Sequence, residues 1–105
     1  MTYAFVQDVP ANAEMYAKID ARIRASLPTD SPTGMISHVV IEQEQGLRYV
    51  DVWTSFEAWE QFRVEHVEPC VTEVLKEYGL PHDHDLVTTT EVTVLDTWLG
   101  APVDA

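Results

Sequence analysis

The sequence predicts an α+β domain with the element order β-α-β-β-α-β, and three observations carry that expectation. Apolar residues recur at helical spacing in two stretches, residues 15–27 and 56–78. Between them lie two β-rich runs joined across a glycine-containing turn, and further β-rich runs stand near both ends of the chain. At 105 residues, 46% of them hydrophobic, the chain has apolar mass for one core and too little for two. Residues 1–99 are therefore expected to form one domain, with 100–105 as a loose tail.

Taken in order, residues 2–9 alternate Tyr3 and Phe5 with Ala4 and Val6 and stop at Pro10, the pattern of a first strand. Asn12 is a natural N-cap, and Met15, Ile19, Ile23 and Leu27 then mark one stripe of an amphipathic helix. The stretch PTDSPTG is rich in turn formers and connects helix to sheet. MISHVVIEQ and GLRYVDVW form a hairpin across Glu44, Gln45 and Gly46. With Gln45 and Gly46 at the centre of a two-residue turn, Glu42 pairs with Tyr49, Val40 with Asp51 and His38 with Trp53. One face then collects Val39, Ile41, Val50 and Val52, suited to packing beneath helices. The other collects His38, Val40, Glu42, Tyr49, Asp51 and Trp53 and is expected to stay open.

Thr54-Ser55-Phe56-Glu57 reads as a capping box opening the second helix, whose apolar side includes Phe56, Trp59, Phe62, Val67, Val71, Val74 and Leu75. Pro69 lacks a backbone donor, so a kink is expected near His66, and Gly79 and Pro81 end the helix. LVTTTEVTVLDTWL supplies the last strand. This order is the ferredoxin-like one, a four-stranded antiparallel sheet with two helices on one face. The uncovered face is expected to pair with a second copy, giving a homodimer.

Charge and composition exclude some partners. The 18 acidic and 6 basic side chains give a net charge of −12, a surface that repels phosphate backbones and anionic lipid, so neither nucleic acid nor membrane is expected. The single cysteine, Cys70, cannot form an internal disulfide, and the start MTYAFVQDVP lacks the basic flank and apolar run of a signal peptide. A cytoplasmic setting is the expectation.

The strand-to-helix junction Val50-Asp51-Val52-Trp53-Thr54-Ser55, followed by Glu57-Ala58, Phe62 and Pro69, resembles that of the dimeric α+β barrel superfamily. That group includes antibiotic-biosynthesis monooxygenases, stress-responsive barrel proteins and some polyketide cyclases, with haem enzymes among its members. The resemblance spans nearly the whole chain. It implies a cofactor-independent enzyme of secondary metabolism, free of metal and organic cofactor, acting on a planar aromatic or polyketide-like substrate. Monooxygenation is the first reading, polyketide cyclisation the alternative, and a non-catalytic binding or structural dimer the third. Cofactor-free monooxygenases of this group commonly carry a histidine soon after the junction; here Phe62 stands there, with His66 one turn later.

Three constellations are candidates for chemistry. His38 with Asp51 places an imidazole beside a carboxylate and the flat wall of Trp53, which suits removal of a proton from a phenol or activated carbon; the same pair would also serve a closed dimer core. Phe62, His66 and Cys70 share a helical line, making His66 a second candidate base or a histidine on the helix flank. Tyr49, Phe62 and Tyr16 complete the expected substrate wall with Trp53. His82-Asp83-His84-Asp85 resembles a ligand set but sits in a proline-containing loop with nothing to complete it, so no metal is expected there.

Overall fold

The computed structural model describes residues 2–101. Four strands, β1 (Tyr3–Val9), β2 (Met35–Glu42), β3 (Leu47–Trp53) and β4 (Thr88–Val92), form one sheet in the order β2-β3-β1-β4. All three pairings are antiparallel. Helix α1 (Ala13–Ser26) follows β1, and a second helical run follows β3, giving the β-α-β-β-α-β order and the ferredoxin-like architecture. The second run comprises α2 (Phe56–Phe62), a π-helical turn (Arg63–Val67) and α3 (Glu68–Glu77).

Local chemistry accounts for the boundaries. Asn12 caps α1, its side-chain oxygen accepting from the Met15 N–H at 2.8 Å. α2 is capped by Ser55, whose oxygen accepts from Ala58 N–H at 3.1 Å; the cap lies one residue later than the Thr54-to-Glu57 box expected from sequence. Just before Pro69 the backbone widens, with Glu68 N–H donating to the Arg63 carbonyl five residues back. That π turn is where the sequence anticipates a kink. α3 ends with Leu80 N–H on the Leu75 carbonyl and Gly79 N–H on that of Lys76, a Schellman arrangement with Gly79 at φ +70°.

Two expectations about the hairpin are corrected. The loop has four residues, with Gln43 N–H donating to the Gly46 carbonyl, so Glu42 pairs with Leu47 and His38 lies directly opposite Asp51 instead of Trp53. Gly46 is required there: its φ is +96°, and a Cβ would come within 2.4 Å of the Val9 carbonyl oxygen. A two-residue slip preserves which side chains share a face. The second correction concerns which face is covered. The face with His38, Tyr49, Asp51 and Trp53 lies under the helices, Trp53 being 0% exposed, whereas Val39 and Ile41 on the opposite face are 50% and 44% exposed. The gap between helix layer and sheet takes large rings, and this face supplies them: Trp53 lies 5.5 Å from Trp59 and 5.3 Å from Phe62, and Phe5 lies 4.8 Å from Trp59, centroid to centroid. Such pairs contribute about 0.5–1.5 kcal/mol each beyond area burial.

The last strand is also shorter than expected. β4 spans Thr88–Val92, and residues 93–101 continue without regular structure. Of the tail anticipated at 100–105, residues 102–105 lie outside the described residues. No helix of the described residues is long and apolar enough to cross a membrane.

Candidate active site

The alternation of β3 turns Tyr49, Asp51 and Trp53 toward the helices. A buried carboxylate is costly unless both oxygens find donors, and Asp51 does: Oδ1 lies 2.6 Å from His38 Nδ1, and Oδ2 accepts from Trp53 Nε1–H at 3.1 Å. An ionised carboxylate offers only acceptors, so the imidazole carries its proton on Nδ1. That leaves Nε2 as an acceptor, and the Tyr16 hydroxyl, presented by α1, donates to it at 2.9 Å. The result is a directional chain from Trp53 through Asp51 and His38 to Tyr16.

Two phenols surround the imidazole. Tyr49 packs edge-on to His38 at 5.5 Å and beside Tyr16 at 5.7 Å. Burial, helped by the negative charge of Asp20, pushes the Tyr16 phenol up to about 12. Burial also raises Tyr49, with Tyr16 and Asp51 adding to the effect. Both phenols therefore remain neutral near neutral pH, and that of Tyr16 donates to His38.

This network borders a cavity of about 370 Å³ between sheet and helices, a size suited to a small molecule. Its walls include Tyr16, His38, Tyr49, Asp51, Trp59 and Phe62. A second cavity of about 400 Å³ shares Tyr49 and Trp59 as lining and reaches the loop after α3.

The structure thus brings four sequence-derived candidates together: His38, Asp51, Tyr16 and Tyr49. Phe62 joins them as wall. Trp53 stands behind the site, wholly buried, and orients Asp51 in place of facing the cavity. His66 stands apart on the π turn. The Ser26 hydroxyl donates to the Ile23 carbonyl at 2.7 Å, so it accepts from His66 Nδ1–H at 2.8 Å, and the imidazole tethers the second helical run to the end of α1. Cys70 is buried, and burial raises its thiol. His82 turns to α3, with Nδ1 3.1 Å from Thr72 Oγ1 and Nε2 3.5 Å from Glu68. Trp59 was legible only as a core residue; its place three positions before Phe62 was the available signal that it shares that wall.

No family model matches the chain, and no curated protein does. Solved structures do. Rv0793 from Mycobacterium tuberculosis is similar with a TM-score of 0.57 at 20% identity, over 91% of this chain and 96% of that one. SnoaB from Streptomyces nogalater, a cofactor-independent oxygenase solved in a mutant form, gives 0.55 at 18%, over 91% and 93%. A candidate antibiotic biosynthesis monooxygenase from Bacteroides thetaiotaomicron gives 0.66 at 9%, over 96% of each chain. The chain therefore shares the fold of these solved structures, candidate antibiotic biosynthesis monooxygenases among them.

Proposed function

We propose that this protein is a cofactor-independent enzyme of secondary metabolism that removes a proton from a planar, oxygenated aromatic or polyketide-like molecule, and that the reaction is a monooxygenation. The observation that carries this reading is the Asp51–His38–Tyr16 chain ending at the wall of an internal cavity. Its fold is shared with an oxygenase that works without a cofactor. The hydrogen-bond direction supports a proton relay as the first step. A substrate C–H or O–H gives its proton to the Tyr16 oxygen while the Tyr16 proton passes to His38 Nε2, so no free tyrosinate forms. Asp51 stabilises the resulting imidazolium. The electron-rich substrate anion adds molecular oxygen, and the peroxide takes the proton back from His38. Loss of water from a CH–OOH centre then leaves a carbonyl. Tyr49, Trp59 and Phe62 hold the ring system.

Oxygen uptake with anthrone as probe tests this. Uptake above the buffer rate, falling about 100-fold or more in His38→Ala, is expected. No uptake, or uptake undiminished in that variant, removes the oxygenase reading; turnover of a poly-β-ketone without oxygen would point to cyclisation by the same base. We infer further that two copies pair through the open sheet face, where Val39 and Ile41 are exposed beside Val50 and Val52, and that the protein works in the cytoplasm.

A further inference from the structure

Proton removal at His38 uses only the first cavity, yet the second, of about 400 Å³, is bounded by many of the same side chains. Gln7 and Tyr49 from the strands, and Ile19, Trp59, Val67 and Val71 from the helical layer, line both. The two spaces therefore lie side by side in the same gap between sheet and helices. Tyr49 links them: its ring packs edge-on to His38 at 5.5 Å and also lines the second cavity.

The chemistry of the second cavity selects what it can take. Beyond the shared wall it is lined by the apolar Val9, Met15, Leu75, Leu80 and Val87. Its guanidinium, Arg63, is already engaged, donating to Glu68 at 2.7 Å and also to Glu60. Glu68 lies 3.5 Å from His82 Nε2 as well, and Asp83 adds a second carboxylate to the lining. An anionic group entering here meets two carboxylates and a cation that is already matched, and a cationic one must shed water against apolar walls. An uncharged chain meets neither cost. We propose that this cavity is a specificity subsite, and that it takes an uncharged apolar extension, an alkyl or acyl chain, carried by the ring system that lies against Tyr16 and His38. Each methylene moved from water into it adds to binding through the area removed from water.

This inference rests on the reading of the His38 cavity as the substrate site and narrows the substrate class to a ring that bears a chain. Calorimetric titration with quinones, which have no proton to lose, separates binding from turnover. The probes are anthraquinone, a hexyl-substituted anthraquinone, and one whose chain of equal length ends in a carboxylate. The hexyl compound is expected to bind at least about tenfold tighter than anthraquinone, and the carboxylate-ended one no tighter than anthraquinone. Leu75→Trp, which fills the second cavity and not the first, should bring the hexyl compound down to the anthraquinone level. Val87→Phe, in the segment just before β4, should do the same from the other wall if the α3 variant does not fold. Equal binding of the hexyl compound and anthraquinone by the wild type overturns the subsite, and a carboxylate-ended probe that matches the hexyl compound overturns its preference for an uncharged chain. Failure of the oxygenase reading looks different: anthrone gives no oxygen uptake while the preference for the hexyl compound persists, which supports the subsite in a protein of other chemistry. Binding of none of the three probes overturns both.

Discussion

The two faces of this sheet are built from alternate residues of the same strands and differ in what holds them. Under the helices, β3 presents Tyr49, Asp51 and Trp53, and each polar atom of Asp51 is matched to a named donor. On the open side it presents Arg48, Val50 and Val52, where the principal polar contact is a surface fork: Arg48 Nε and Nη2 donate to Asp8 Oδ1 and Oδ2 at 2.9 and 3.1 Å. Burial makes the difference consequential. A missing partner strands the others beneath the helices, but water replaces it on the open face.

The largest effect expected from this contrast is at Asp51. Asp51→Ala leaves both His38 Nδ1–H and the buried Trp53 Nε1–H without their acceptor, so urea unfolding should show a loss of about 1–3 kcal/mol for each stranded donor. A loss near that of an ordinary surface change, about 0.5 kcal/mol, would mean the network contributes nothing to the fold. Trp53→Phe refines the comparison. It keeps most of the ring packing against Trp59 and Phe62 and removes only the N–H donor, so about 1–3 kcal/mol is expected in the same measurement. Should this variant also reorient His38, anthrone turnover would fall with it, which a purely packing role for Trp53 does not produce.

How far the sequence revealed this contrast depends on the residue. Strand alternation is strict, so the sharing of one face by His38, Tyr49, Asp51 and Trp53 was legible despite a wrong register. Which face the helices cover was not, because both faces carry apolar groups, branched aliphatics on one and aromatic rings on the other. The choice depends on the width of the gap that α1 and α2 leave, a tertiary quantity. The direct opposition of His38 and Asp51 required the true loop length, fixed by the close approach of Gly46 to Val9. Tyr16 sits beside the stripe residue Met15, and only the docking angle of α1 turns its hydroxyl to His38. The strand composition of residues 93–99 was plain, yet the pairing of β4 with β1 ends at Val92 and the chain continues without regular structure.

A smaller effect should appear at alkaline pH and belongs to the covered face. Tyr16 and Tyr49 both have folded-state values above the ordinary phenol value of 10.0. Between pH 10 and about 12 the folded chain holds protons that the unfolded chain has released, so both contributions are complete below pH 10; that of Tyr16 is lost as pH rises through that window, and that of Tyr49, raised further by deeper burial, is lost above it. Absorbance at the phenolate band should show Tyr16 and Tyr49 titrating late, with Tyr3 also raised by its burial, and Tyr16→Phe should remove one late step. Two early, coincident titrations would place these rings in water.

The smallest effect lies on the open face and tests whether that face stays open. Arg48, through its hydrogen bonds, lowers the Asp8 carboxyl below its ordinary value of 3.8. A depressed folded-state value means a contribution present above 3.8 and lost as pH falls through the lower folded value. In an isolated protomer the pair is exposed, so added salt should weaken this acid-side contribution and Asp8→Asn should abolish it. If a second copy covers the face, the fork is shielded from ions. The acid-side loss should then resist salt at high protein concentration and become salt-sensitive on dilution. Unfolding curves across the acid range below about pH 5, taken at two salt and two protein concentrations, separate the cases: sensitivity that ignores protein concentration means that Asp8 and Arg48 stay in water and that the pairing of copies uses another surface.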